Sequence, residues 1–171
     1  MLPKDMYTSV EEFLKDWAYE SEATLKVLSV LTDESLEQRI TPEGRSLGRL
    51  AWHIVLTPSE MLWRAGLAVE GPTQSAAQPA DAGEFAFAYQ HTAASLTSKL
   101  QEDWTDATLQ EDANMYGQVW KKGVVLGAMI FHQCHHRGQM TVLMRQAGLT
   151  VPGIYGPARE EWAAFGMPVP E

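Results

Sequence analysis

Three histidines lie within five residues in the stretch FHQCHHRGQ (131–139), although the whole chain of 171 residues holds only five histidines. If this stretch is an α-helix, His132 and His136 lie one turn apart on the same face. Two imidazoles at positions i and i+4 can bind one divalent cation, as they do in HExxH helices. The spacing therefore favours a metal site, and a catalytic base or a polar patch on the helix remain alternatives.

The other polar residues of this stretch have less definite roles. His135 lies to one side of His132 and could be an alternative ligand, a hydrogen-bond partner of a ligand, or a base. Gln139 is one turn beyond His135 and could hydrogen-bond a bound water or a substrate. Cys134 points about 160° away from both His132 and His136, so it cannot join their site. We expect it to be a small buried core thiol.

A site with two histidine ligands needs at least one more, because protein zinc sites usually have three or four. His53 is the best candidate, since the residues around it in the stretch LAWHIV (50–55) are apolar and indicate a buried segment. A satisfied core histidine is an equally good interpretation of His53. Glu60 could accept a hydrogen bond from a ligand or be a surface acid, and His91 is expected to be an ordinary half-exposed residue.

Composition and charge limit the function further. The chain carries 13 basic and 22 acidic residues, a net charge of −9, which disfavours nucleic acid or an anionic membrane as the main partner. Its single cysteine excludes an internal disulfide, and no stretch approaches the roughly 20 apolar residues of a membrane-spanning helix. The N-terminal stretch does not read as a signal peptide, so we expect a cytoplasmic protein.

Apolar residues recur at helical spacing along most of the chain. A first helix is predicted over Ser9–Thr32, with a capping box at 8–11, and a second over 46–66. Pro58 removes a backbone hydrogen bond, so the second helix should kink or restart there with Thr57 as its N-cap. The rest of the pattern predicts a long mobile loop over 70–83, a third helix over 83–104 capped by Asp81, an extended piece or hairpin over 114–123, a fourth helix from about Gly123 to a terminal Gly148, and an irregular tail over 151–171 with one helical turn after Pro157.

These elements predict an all-α fold, a four-helix bundle in a single domain over 1–171. In such a bundle, sites are built from side chains that point inward from facing helices. The larger aromatic residues outside the histidine stretch could line a pocket, but we expect them to be core residues; they are Trp52, Trp63, Tyr116 and Trp120.

The stretches SLGRLAWHIVLTPSEML (46–62) and HQCHHRGQM (132–140) resemble the DinB-like (DinB/YfiT) family of small bacterial metal-binding proteins. The resemblance extends over essentially the whole chain and implies an up-down-down-up four-helix bundle. By position it implies that His53, His132 and His136 hold a divalent metal, with zinc or nickel the first expectations and iron, copper and manganese also compatible. His135 matches a histidine that precedes the last ligand without binding the metal.

Members of the wider superfamily include thiol-dependent transferases or isomerases, and others are described as hydrolases. The first hypothesis is therefore a metal-dependent enzyme acting on a small molecule, with a low-molecular-weight thiol as one cosubstrate and His135 or Gln139 positioning the reactants. The alternative is a non-catalytic, metal-stabilised bundle with a stress-related or partner-binding role. A metal-free polar patch is a third interpretation, and the resemblance also implies a homodimer.

Overall fold

A computed structural model describes residues 6–169 of the chain. Within this range the chain forms four α-helices, a two-stranded sheet and three short 3₁₀-helices. The α-helices and strands are α1 (Val10–Leu28), α2 (Leu47–Arg64), α3 (Gly83–Asp103), β1 (Asp112–Met115), β2 (Gln118–Lys121) and α4 (Lys122–Gln146). The 3₁₀-helices are Asp33–Glu37, Thr108–Gln110 and Arg159–Phe165. The ends of the predicted domain, 1–5 and 170–171, lie outside the described residues.

Helix α1 starts close to its predicted position, but with a different cap. Ser9 has an extended backbone, and its hydroxyl accepts a hydrogen bond from the amide of Glu12. The predicted capping box at 8–11 is therefore wrong by one residue. The predicted end at Thr32 is also wrong, because the helix ends at Leu28 and the hydroxyl of Ser29 donates to a carbonyl of the last turn.

Of the two outcomes predicted at Pro58, a kink or a restart, the restart is wrong, because α2 runs without interruption from Leu47 to Arg64, and the kink stays a prediction. The carbonyl of Ile54 loses its usual partner, since proline has no N–H. The hydroxyl of Thr57, instead of capping a new helix, donates to the carbonyl of His53 at 2.7 Å. Pro58 is itself buried, so packing in the core offsets the cost of the lost bond.

The expected extended piece before the fourth helix is confirmed as a β-hairpin. Strands β1 and β2 pair antiparallel, and the turn between them is formed by Tyr116 and Gly117. Both turn residues have positive φ, 55° and 84°, as a two-residue type I′ turn requires. The predicted all-α class is therefore not strictly correct, because the fold includes this sheet. The alternation of only eight residues was a weak signal beside four long helical patterns.

The helices pack around one connected apolar core. Helix α1 lies against α3 and α4, and α2 lies against the same two helices. The largest side chains in this core are fully buried, and they include Phe13, Trp17, Phe85 and Tyr89. The mostly helical class is therefore confirmed, and the up-down-down-up order stays a prediction. The α2–α4 contact brings the histidine-bearing segments together.

Gly123, the second residue of α4, is fixed by a close approach of the backbone. A Cβ atom on Gly123 would lie 2.0 Å from the backbone carbonyl oxygen of Tyr7. Only glycine fits there, because no side-chain movement can relieve a clash with backbone. The start of α4 is therefore held directly against the segment that leads into α1.

The loops and the tail agree with the sequence pattern. The long connection between α2 and α3 holds no helix or strand. The N-cap of α3 is Ala82 and not the predicted Asp81, although Asp81 accepts a hydrogen bond from the amide of Gly83 at 2.7 Å. Helix α4 ends at Gln146 and is followed by Gly148 with φ +77°. The predicted turn after Pro157 is the 3₁₀-helix Arg159–Phe165. None of the helices among residues 6–169 is long and apolar enough to cross a membrane.

Candidate metal centre

Three histidine side chains meet at the interface between α2 and α4. The Nε2 atom of His132 lies 3.1 Å from Nε2 of His53 and 3.1 Å from Nε2 of His136. The ligating nitrogens of all three lie within 4.8 Å of one another. A metal ion lies about 2.0–2.1 Å from each imidazole nitrogen, so atoms 3.1 Å apart can bind the same ion.

The surroundings keep these imidazoles neutral, which is the form that binds metal. Burial, followed by the charge of a neighbouring imidazole, lowers the pKa of His53 and of His132 from 6.5 to about 4. Burial also lowers the pKa of His136, although its bond to Gln139 acts in the opposite direction. The positive charge of Arg45 contributes to the lowering at all three histidines.

Gln139 orients one of the three rings. Its Oε1 atom lies 2.7 Å from Nδ1 of His136. An amide oxygen only accepts hydrogen bonds, so this contact favours the tautomer of His136 with its proton on Nδ1 and its lone pair on Nε2. The lone pair then points toward the other two histidines. Gln139 thus contacts a candidate ligand directly, whereas the sequence suggested a contact with water or substrate.

The other two rings are held differently. The Nδ1 atom of His132 is buried and has no hydrogen-bond partner among residues 6–169. Metal-binding histidines usually donate from the nitrogen that does not bind the metal. The orientation of His132 is therefore set by helix packing. On α2, the Thr57 hydroxyl bonds the backbone of His53 rather than its ring.

A pocket of about 600 Å³ adjoins the histidine cluster. His136 and Gln139 line it, and the exposed side chain of His135 lies on its wall. The His135 ring lies 4.9 Å, centre to centre, from the ring of His136. The remaining lining residues come from α2, α4 and the segment before α2; they are Ile40, Gly44, Arg45, Leu50, Val142 and Leu143. A small molecule in this pocket would reach His135 and His136.

The opposite side of α4 carries a buried polar network centred on Arg137. Its guanidinium forms an ion pair with Glu20 and donates to the hydroxyl of Thr24 at 2.8 Å. It also donates to the hydroxyl of Tyr155, which in turn contacts Cys134 Sγ at 2.9 Å. This network ties α4 to α1 and to the tail, and so fixes which face of α4 meets α2.

Cys134 lies in this network and not with the histidines, as its helical phase predicts. The prediction of a buried core thiol is correct only in part, because Cys134 packs against the core but is half-buried and has polar neighbours. Burial raises the pKa of the thiol. Cys134 is therefore a protonated member of a structural network.

Glu60 and His91 lie outside the candidate centre. The Glu60 carboxylate accepts a hydrogen bond from the hydroxyl of Tyr116 at 2.7 Å and pairs with Arg64, and no bond joins it to the ring of His53 within the described part of the chain. His91 is exposed rather than half-exposed, and its Nε2 lies 3.6 Å from a carboxylate oxygen of Glu70. Neither residue contacts the three clustered histidines.

The expectation that four aromatic residues are core residues is correct only in part. Trp52 is buried, but Trp63 is 72% exposed and Tyr116 is 56% exposed. Trp120 is partly buried against the core. The two exposed residues lie at the end of α2 and at the tip of the hairpin, where the chain leaves the core. None of the four lines the pocket beside the histidines.

Sequence reasoning missed the two arginines on the α2 side of the centre. Arg45 lines the pocket, and Arg49 lies one turn before His53 on α2. The i, i+4 spacing of Arg49 and His53 was a usable signal. Sequence reasoning also missed Arg137, because its partner Glu20 is 117 residues away in the chain.

Comparison with known proteins identifies relatives of this chain. The sequence model of the DinB family matches residues 6–170. The uncharacterized protein YrdA of Bacillus subtilis strain 168 is 48% identical over 166 residues, which cover 97% of this chain and 99% of YrdA. These matches extend over nearly the full length of both chains.

Solved structures give the same result. The crystal structure of a DinB-like protein from Bacillus cereus ATCC 10987 matches with a TM-score of 0.84 and 47% identity, covering 88% of this chain and all of that one. A DinB-like protein (YjoA) from Bacillus subtilis matches with a TM-score of 0.65 and 20% identity, covering 84% of this chain and 96% of its own, and shows the shared fold alone. The chain belongs to the DinB family.

Proposed function

We propose that His53, His132 and His136 hold a divalent metal ion and that the protein is a metal-dependent enzyme acting on a small molecule. The observation that carries the proposal is the convergence of three neutral imidazole nitrogens beside an accessible pocket. No carboxylate or thiolate belongs to this group within residues 6–169. Three ligands leave coordination positions open, as in catalytic rather than structural zinc sites.

A divalent ion held by neutral ligands keeps its full charge and lowers the pKa of a water or thiol that it binds. The protein's own residues supply the rest. Gln139 holds the proton of His136 at Nδ1, so that Nε2 stays free to bind the metal. His135 is exposed on the pocket wall, where its imidazole can accept or return a proton.

The reaction class that best suits this arrangement is nucleophilic attack on an electrophilic small molecule. With a low-molecular-weight thiol as nucleophile the protein is an S-transferase, and with water it is a hydrolase. Zinc and nickel are the first expected metals, since three imidazoles suit both, although iron, copper and manganese are compatible with the same ligands. The homodimer implied by the resemblance stays a prediction.

A second candidate function follows from the position of the histidines. His53 and His132 are 79 residues apart and belong to different helices, so a bound ion would also join α2 to α4. A non-catalytic bundle stabilised by the ion, with a stress-related or partner-binding role, would use the same ligands. Removal of the metal separates the two, because an enzyme would keep most of its stability and a structural site would lose much of it.

The test is metal analysis of protein purified without an affinity tag, with each histidine replaced in turn. The variants His53→Ala, His132→Ala and His136→Ala should each lose stoichiometric metal. His91→Ala is the matched control, because His91 is exposed and pairs with Glu70 instead. Full metal content in any of the three test variants would contradict the proposal. A screen of the metal-loaded protein with thiol, ester and amide substrates then tests catalysis.

A further inference from the structure

The pocket beside the histidine centre carries a positive charge that nothing in its own wall neutralises. Arg45 is exposed and lines the pocket, and it forms no ion pair with any carboxylate among residues 6–169. Four other arginines, Arg39, Arg64, Arg137 and Arg145, each form an ion pair with a glutamate. Arg45 is therefore free to bind an anion.

The rest of the lining has no negative charge. The pocket residues include no aspartate or glutamate, although the chain as a whole has a net charge of −9. Arg49, one turn into α2, adds a second positive charge near the centre without lining the pocket. The pocket is thus a local positive region on a strongly acidic protein, and such a region attracts anions selectively.

The pocket also has an aliphatic wall. Leu50 and Leu143 are buried at its base, while Ile40 and Val142 are exposed at its rim. Its volume of about 600 Å³ lies within the range of pockets that hold small organic molecules. An occupant with an apolar body would cover the aliphatic side chains, and a charged group on it could reach Arg45.

We propose that Arg45 is a specificity-determining residue that binds the carboxylate of a small amphipathic substrate, whose aliphatic part lies against Leu50 and Leu143 next to the histidine centre. A guanidinium binds a carboxylate through two parallel hydrogen bonds. One pocket arginine matches one carboxylate, whereas a polyphosphate would need several cations. The reaction of this substrate rests on the proposed function, but its binding by Arg45 does not.

The test measures binding of n-hexanoate, hexan-1-ol and hexylammonium to the full chain as purified, by isothermal titration calorimetry. Hexanoate should bind more tightly than either of the others. Arg45→Met should weaken hexanoate binding about tenfold, as expected for loss of a charged hydrogen-bonding partner, and leave hexan-1-ol unchanged. Arg45→Lys should restore part of the affinity. Arg49→Met is the matched control, since it removes the same charge outside the pocket and should have a much smaller effect.

A fourth variant separates this proposal from the proposed metal centre. Binding of hexanoate through a metal ion alone would survive Arg45→Met and be lost in His132→Ala, and that result would overturn the role of Arg45 while supporting the metal centre. Equal effects of Arg45→Met and Arg49→Met, or no saturable hexanoate binding by the wild-type protein, would also overturn it. If the purified protein contains no metal, the metal centre is refuted. If Arg45→Met still abolishes the preference for hexanoate in that protein, the role of Arg45 stands.

Discussion

The bond between Gln139 and His136 gives the sharpest prediction about the candidate centre. The amide oxygen of Gln139 lies 2.7 Å from Nδ1 of His136, on the side of the ring away from Nε2. Gln139→Ala removes this acceptor and a part of the pocket wall, and the exposed side chain makes no other hydrogen bond among residues 6–169. The His136 ring then loses the partner that fixes its tautomer and its orientation.

The size of the effect follows from the bond and its exposure. A neutral hydrogen bond contributes about 0.5–1.5 kcal/mol, which corresponds to about a two- to twelvefold change in a dissociation constant. Outer hydrogen-bond partners of metal ligands typically change metal affinity by about 10–100-fold. Water can replace an exposed acceptor, so we expect a loss just below this second range: zinc affinity about five- to tenfold weaker in Gln139→Ala, with at most a small loss of thermal stability in the metal-free protein.

The assay is competition for Zn²⁺ between the protein and a chromophoric chelator at pH 7. Gln139→Glu is the informative counterpart, because a carboxylate is a stronger acceptor for the ring N–H and should keep or increase zinc affinity. Gln90→Ala, an exposed glutamine on α3, is the matched control and should bind zinc as the wild-type protein does.

Two results would refute the reasoning. A zinc affinity of Gln139→Ala within about twofold of wild type would show that Gln139 does not orient a metal ligand. An equal loss in Gln139→Ala and Gln139→Glu would show that the amide acts by some route other than accepting the proton of His136 Nδ1.

Three further predictions address charge, packing and the cysteine. Burial lowers the pKa of His53 and His132 from 6.5 to about 4, so between these pH values the unfolded chain binds more protons than the folded chain. The metal-free protein should therefore lose stability as pH falls from 6.5 toward 4 and show a flatter stability profile above pH 7. Urea unfolding at a series of pH values measures this, and replacing both histidines by glutamine should flatten the slope. Arg137→Met should destabilise the protein by up to about 3 kcal/mol, because it leaves the partly buried carboxylate of Glu20 without its ion-pair partner. Adding Glu20→Gln should recover part of that loss in denaturant titrations, and strictly additive effects would contradict a direct coupling. Cys134→Ser should leave metal content unchanged, since the thiol faces α1 and the tail, and a large loss of metal by elemental analysis would contradict that placement.

The parts of the structure that could be predicted are those set by local spacing. The pairing of His132 with His136 follows from the 3.6-residue period of one helix, and that period does not depend on what the helix packs against. The end of α4 before Gly148 and the hairpin turn at Gly117 follow from backbone conformations that glycine adopts easily. The apolar residues around His53 made it the best candidate for a third ligand, with a core histidine as an equally good interpretation, and the family resemblance implied the same residue.

The details that could not be predicted depend on neighbours distant in sequence. The prediction of a restart at Pro58 failed because it weighed the lost hydrogen bond alone, whereas burial of the proline and the bond from Thr57 keep α2 continuous. Trp63 and Tyr116 were expected in the core because of their residue type. Exposure, however, depends on how far another element covers the side chain. Trp63 stays 72% exposed, and Tyr116 stays 56% exposed although its hydroxyl bonds Glu60 on α2.

By itself the sequence determined the family, the four helical segments and the face of α4 that carries two histidines, because each of these follows from residue order and local period. Only the tertiary structure decided that Nε2 of His53 lies 3.1 Å from Nε2 of His132, since that distance depends on how α2 packs against α4. The same packing placed Gln139 on the ring of His136 and Arg45 on the pocket wall. Contacts between residues far apart in the chain require a three-dimensional arrangement, and no local pattern encodes it.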